Sequence, residues 1–289
     1  MPAMNIKTLL LWMTISRSLY ACLQPLPAHA VNYATAAKSP PGYQLNLYPY
    51  YYSADIRTDK DGNHSVKDLG LTKSGVLIGT TYYAGDLLIN AIIPVGTVEV
   101  GTLKSDDTGL GDINLRAGYF LPVEWVTVLP ALMVKVPTGS YDKNRPVNYG
   151  DGQTDLVTEL YLFKLSPPFS FDALLKYAVR FRNHDNDVTP GNEFTAEGLV
   201  TVRAAEKIRI GPAINFISGE NNKKGGASQH DSGLTRLAVG GEVYYGRFDN
   251  VKISLAAYQD VQVPLYSSKM KSIHYLLVKF RYHLPFVYI

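Results

Sequence analysis

Residues 170–182, SFDALLKYAVRFR, sort their side chains by parity. Phe171, Ala173, Leu175, Tyr177, Val179 and Phe181 fall on one parity, Asp172, Lys176, Arg180 and Arg182 on the other. Successive side chains of a strand point to opposite faces, so this stretch has one oily face and one ionic face. The alternation recurs along the chain. Ile113, Leu115, Ala117 and Tyr119 alternate with Asp112, Asn114 and Arg116; Ile208, Ile210, Ile214 and Phe216 alternate with Lys207, Arg209 and Asn215. Near the end, Leu276, Val278, Phe280 and Tyr282 alternate with Lys279, Arg281 and His283. No stretch beyond residue 30 shows a comparable helical period. The pattern predicts about twelve strands: 42–53, 72–83, 86–101, 112–121, 125–137, 154–165, 169–182, 192–204, 206–218, 233–246, 249–261 and 270–284. Most are longer than an ordinary strand and long enough to cross a tilted path through a bilayer.

The connections alternate in length. Short ones fall at Ala84-Gly85, 122–124, 166–168, Ala205 and Arg247-Phe248; long polar ones fall at 54–71, 102–111, 138–153, 183–191, 219–232 and 262–269. A hairpin meander that closes on itself puts its short turns at one end and its long loops at the other, as outer-membrane barrels do. Pro94, Pro130 and Pro212 lie inside predicted strands, where a missing N–H calls for a bulge or a rim position.

Composition adds a compartment. The first thirty residues carry Lys7, the apolar run LLLWM and a closing Ala28-His29-Ala30, which reads as an export signal cleaved after Ala30. The predicted organisation is a signal peptide at 1–30, a periplasmic N-terminal segment at 31–41 and a barrel at 42–289. Cleavage removes Lys7, Arg17 and Cys22, leaving a chain without thiols and a nearly balanced charge. The balance argues against a nucleic-acid partner. Absence of cysteine excludes thiol catalysis and Cys-ligated metal. Tyrosine is abundant at 21 residues, which suits both strands and membrane–water interfaces.

Two architectures fit an alternating strand: a secreted β-domain with its charges in water, or a membrane barrel with its charges in the lumen. Export, the sorted loops and the aromatic, alternating C-terminus favour the second. That C-terminus resembles the assembly signature of bacterial outer-membrane barrels, although Ile289 rather than an aromatic is last and Pro285 interrupts it. The expected fold is therefore all-β, a closed antiparallel transmembrane barrel in the bacterial outer membrane. Its expected partners are membrane lipid and lipopolysaccharide, the barrel-assembly machinery and a small-molecule solute. The inward parity then carries Asp112, Arg116, Lys135, Glu159, Lys176, Arg180, Glu197, Arg203, Arg209, Arg236, Glu242 and Lys279 as lumen-lining, substrate-path candidates. Selective pores show rings of one sign. Here both signs are mixed, which suggests cross-strand ion pairs that shape a narrow passage.

Several short stretches resemble one family. These are Pro40-Pro41-Gly42-Tyr43 with Tyr50, Tyr51 and Tyr52; Gly109-Leu110-Gly111-Asp112; and Lys135-Val136-Pro137-Thr138-Gly139. They are similar to motifs of the transporter family associated with the meta-pathway of phenol degradation. The resemblance implies an exported barrel taking up aromatic or hydrophobic molecules passively, with no enzyme activity and no cofactor. Two alternatives come from other classes. Ser272 and His274 share a face near the outer end of the last strand and could form a lipid hydrolase's nucleophile and base. The long loops could instead serve a closed structural or adhesive barrel. The acidic loops at 59–63, 150–155 and 185–193 lack calcium-loop spacing and read as solvated turns, not metal sites.

Overall fold

The computed structural model describes the backbone of residues 33–58, 64–230, 232–248, 251–263, 266–267 and 270–285, with side chains for 33–57, 67–230, 232–246 and 251–261. The predicted signal peptide lies outside these residues. Strand β1 is Gly42–Thr58, β2 Leu71–Ala84 and β3 Leu87–Val100; β4 comes as two segments, Ser105–Leu110 and Ile113–Tyr119. Then follow β5 Thr127–Val136, β6 Asp155–Ser166, β7 Phe169–Arg180, β8 Glu193–Ala205, β9 Ile208–Gly219, β10 Thr235–Phe248, β11 Val251–Asp260 and β12 Met270–Pro285. Each pairs with its neighbours in sequence, and β12 pairs with β1 from Gly42↔Pro285 to Arg57↔Met270. That last pairing closes the sheet into a barrel of twelve antiparallel staves. Closure matters because a lipid environment offers no water to an unpaired strand edge.

Both ends follow from turn chemistry. The β2–β3 turn needs a left-handed residue, and Gly85 supplies it at φ 62°. Pro167-Pro168 and Glu206-Lys207 make the next tight turns on the same end as Gly42 and Pro285. The β4–β5 connection at this end runs from Phe120 to Val126, longer than the turn expected at 122–124. At the opposite end, Val188–Thr189, Lys223–Lys224 and Ala227–Ser228 form a small sheet tying together the loops after β7 and β9.

One predicted loop is corrected. Residues 102–111 were expected as an open external loop, but Ser105–Leu110 pairs with Val95–Val100. The hairpin turns through Gly101–Leu103, and Lys104 closes it in a left-handed conformation at φ 46°. SDDTGL is polar on both faces, so parity gave no strand signal there. The prolines sit at pairing breaks. Gly111 N–H donates to the Pro94 carbonyl at the junction between the two β4 segments. The β8–β9 ladder carries no pairing at Pro212, between Leu199↔Ala213 and Val202↔Ile210. Pro130 pairs with Leu160 on β6 but lies beyond Gly118↔Ala131, the last β4–β5 pair.

The parity question has a clear answer. Phe171, Tyr177, Ile210 and Val239 are 46%, 42%, 46% and 44% exposed, whereas Arg180 retains 8%. The oily parity covers the outside and the ionic parity faces inward. In water that outer surface would be a large unpartnered apolar patch. Around a closed barrel it is the lipid belt. Among the described residues no helix is long and apolar enough to cross a membrane.

Leu175 sits midway along β7 on the outer face, 40% exposed. Leu175→Arg is expected to destabilise the barrel by about 2–4 kcal/mol, the cost of a guanidinium near the bilayer midplane. Urea titration of protein folded into vesicles measures this. A change below about 0.5 kcal/mol, ordinary for a water-exposed site, would contradict a lipid-facing Leu175.

Candidate functional site

Seven of the twelve predicted positions, Arg116, Lys135, Glu159, Lys176, Arg180, Glu197 and Arg236, lie in the bore and are ion-paired. Arg116 on β4 reaches past β5 to Glu159 on β6 through its Nε, and through a second nitrogen at 3.1 Å. Its other arm donates to Asn90 Oδ1 at 2.7 Å, and Tyr161 O–H donates to Glu159 at 3.2 Å. Lys135 Nζ lies 2.6 Å from both Asp151 and Asp155. Arg180 sits between Asp155 at 3.7 Å and Glu193 at 3.5 Å. Lys176 meets Glu197 at 3.5 Å, and Arg236 meets Asp260 at 2.6 Å. These contacts follow from register: inward positions on adjacent or next-adjacent strands bring opposite charges across the wall. The arrangement stiffens the bore and presents no ring of one sign.

Of the other five, Asp112 and Glu242 accept backbone N–H groups, Arg209 bonds the Thr201 hydroxyl and the Pro168 carbonyl, and two stand apart. Arg203 keeps the inward parity but is exposed, because it lies at the end of β8 and its N–H bonds the Pro168 carbonyl of the adjacent turn. It belongs to the periplasmic mouth, a correction to its expected place inside the bore. The Lys279 side chain, like those of Ser272 and His274, lies outside the described residues.

At the outer end, the loop between β5 and β6 folds into the bore instead of projecting away. Asp112 holds it there: its carboxylate accepts Gly139 N–H at 2.9 Å and Asp151 N–H at 2.8 Å. The motifs around Asp112 and Gly139, far apart in sequence, are thus two halves of one clamp. Asp107 adds a second hold, accepting Tyr149 N–H at 2.8 Å and Arg145 at 2.9 Å. Val147 and Tyr149 are buried as a result. Tyr149 packs its ring under Lys73, with Nζ 5.0 Å from the centroid, and shares a hydrogen bond of 2.5 Å with Tyr50. Burial pushes the Tyr149 phenol above its ordinary range, against the lowering effect of that bond. The hydroxyl fits because Gly96 has no side chain: a Cβ there would meet it at 2.7 Å and the Ser74 carbonyl at 2.2 Å.

Asp112→Ala leaves the buried Asp151 N–H without its acceptor, at about 1–3 kcal/mol, and the half-buried Gly139 N–H at less. The expected result is release of the loop, read as new cleavage between residues 137 and 154 by protease added to intact cells. An uncut loop in that variant would show that Asp107 and Tyr149 hold it alone.

At the periplasmic end, the segment before β1 enters the bore. Expected in the periplasm, residues 33–37 instead reach the far wall. Tyr33 N–H donates to Glu242 on β10 at 2.9 Å, and Thr35 N–H to Asp172 on β7 at 3.3 Å. The Tyr33 ring lies under Arg209, 4.7 Å from the guanidinium carbon, with Tyr244 edge-on at 4.5 Å between centroids. Ala34 and Ala36 are buried. In a twelve-stave ring β7 stands opposite β1, so the segment crosses the diameter. Lys38 pairs with Asp86 where the chain leaves for β1.

Sequence reasoning placed the ion pairs on the correct face but missed the two segments that occupy the bore. Asp107, Asp151, Tyr149 and Tyr33 had no parity signal that tied them to a site, and Asp172 was on the ionic parity with nothing to tie it to the N-terminal segment. The available clue was the density of glycines facing Tyr149, at Gly75, Gly96 and Gly111. Among the described residues no cluster of His, Cys, Asp or Glu could hold a metal ion.

Comparison with solved structures supports the architecture. The COG4313 outer membrane channel from Pseudomonas putida F1 superposes with a TM-score of 0.77, at 15% identity, covering 88% of this chain and 100% of that one. The NanC porin gives 0.49 at 11% identity, covering 83% and 100%. The toluene transporter TodX of P. putida gives 0.44 at 11% identity, covering 86% and 92%. At 15% identity the first likeness is one of fold, and the other two carry no argument. No curated protein sequence matches the chain. A family profile does, over residues 71–269, more than half of the chain, and the motifs that clamp the outer loop fall inside that span. The chain therefore belongs to the family described as "Putative MetA-pathway of phenol degradation".

Proposed function

We propose that this barrel is a passive outer-membrane channel for small, uncharged, aromatic or hydrophobic molecules. The observation that carries the reading is the bore itself: an ion-paired interior narrowed by an inward-folded segment at each end. Such a bore suits a small solute better than bulk exchange of ions and sugars, because its charges already satisfy one another. Membership of a family described by phenol degradation supports the aromatic class.

The test is uptake of labelled phenol and toluene at low external concentration by cells with and without the gene, beside a labelled sugar of similar size. Slower aromatic accumulation in the deletion strain, with unchanged sugar entry, is the expected result. Equal aromatic accumulation in both strains would overturn the proposal and favour a closed structural barrel. Flux into liposomes carrying only the purified protein separates passive passage from coupling to a partner.

A further inference from the structure

We infer that the outer wall carries a phospholipid site, with one acyl chain in a groove across β6–β10 and the phosphate at Lys164. The groove is an apolar cavity of about 640 Å³ on the lipid face, within the size range of small-molecule sites. Its floor is made by small outward residues, Ala173 and Gly198, which pair with each other across β7 and β8. Phe171, Val200 and Ile214 stand around that floor.

Three features choose the occupant. First, the groove is continuous with the lipid belt, so hydrocarbon covers it in the membrane. Second, register sets its slope. Its low end is at Lys164, two residues from the periplasmic end of β6, and the adjacent paired row Leu162–Ala173–Gly198–Ile214–Val239 carries it to the fifth residue of β10 counted from the outer end. A chain lying there would run from the inner headgroup level up into the hydrocarbon.

Third, its low end is charged. Among the residues with described side chains, Lys164 is the charged one on the outward parity of the strands below the outer rim. A lysine there must reach the interface. Its Nζ lies 5.4 Å from the centroid of Trp125, itself 71% exposed in the β4–β5 connection. Trp beside Lys at a membrane interface leaves the ammonium facing the headgroup layer. No carboxylate pairs with Lys164 among the described residues. The complement to such a cation at that depth is a lipid phosphate, and the inner leaflet supplies phospholipid.

The experiment is native mass spectrometry of the full-length mature barrel, stripped of lipid in a phosphate-free detergent and then given dioleoylphosphatidylglycerol. The wild type is expected to retain one lipid per chain. Lys164→Gln should weaken retention about fivefold, the value of one lysine near an anionic headgroup. Ala173→Phe should abolish retention by filling the floor. Heat-dependent gel mobility confirms that each variant folds. Solute flux through both variants should match wild type, since neither side chain faces the bore, so failure of the channel reading would not be mistaken for failure here. No retained lipid in wild type overturns the inference, as does equal retention by both variants. Displacement by toluene with no effect of Lys164→Gln also overturns it, assigning the groove to an apolar solute. A protein dimer lost in Ala173→Phe overturns it in favour of a second copy of this chain.

Discussion

Replacing Arg116 by alanine is expected to lower the unfolding free energy of the barrel by about 3–5 kcal/mol, the cost of stranding one member of a buried pair. Glu159 beside it is buried, and Arg116 supplies two of its contacts while also bonding Asn90. With Arg116 gone, the carboxylate keeps only the Tyr161 hydroxyl among these partners. It must then draw in water, take a proton or move, and each costs free energy. The pair itself is a different matter. Arg116→Met with Glu159→Leu removes both charges and is expected to restore most of the loss, because a well-packed apolar pair often equals a buried ionic one. Urea titration of the single and double variants in vesicles gives the coupling directly. A loss below about 0.5 kcal/mol for Arg116→Ala would mean that water already fills this level of the bore and screens the pair.

The strands were legible because of the solvent, not because of the core. A lipid-facing position must be apolar and a bore-facing one can be ionic, so β7 shows its orientation in an outward row that is apolar from Phe169 to Val179. The inward rows of β7 and β9 mix polar residues with Leu174 and Ile217. Where one face loses its constraint, the pattern fails. Val126 to Val134 is apolar on both parities because inward Leu129 packs among other buried apolar side chains near the periplasmic end. Ser105–Leu110 is polar on both because it stands above the lipid belt, where neither face needs to be oily. The break at Gly111-Asp112 looks in sequence like a simple re-entry turn. In the structure it is the point where a carboxylate turns inward to hold a loop.

What parity cannot report is what fills the middle. The clamp joins Asp112 to Gly139 and Asp151, and the periplasmic segment joins Thr35 to Asp172, contacts between residues far apart in sequence. Hydrophobic periodicity records which side of a wall a residue occupies, never which opposite wall it faces. The two inward segments share one chemistry, a backbone N–H given to an inward carboxylate, and the outer loop adds its own Asp151 against Lys135 and Arg145 against Asp107. Their sequences therefore look like ordinary polar loops. The carboxylates that hold them are as much part of the bore as the ion pairs that shape it.

Removing residues 31–41 is expected to raise single-channel conductance in a planar bilayer several-fold. The segment spans the bore from β1 to the opposite wall, and its anchors are distributed: Glu242 and Asp172 take its N–H groups, while Arg209 and Tyr244 enclose the Tyr33 ring. It carries no strand pairing, so the barrel should fold without it and keep its heat-dependent gel mobility. Asp172→Asn with Glu242→Gln gives an intermediate case. Both amides can still accept the N–H bonds, but each bond loses its charge assistance. The double variant should therefore flicker between wild-type and open levels instead of staying open. Unchanged conductance after the deletion would place the limiting constriction at Tyr149, where the clamped outer loop meets Lys73 and Tyr50. Asp112→Ala should then be the variant that opens the bore, and combining it with the deletion distinguishes two constrictions in series from one: resistances in series fall fully only when both are removed.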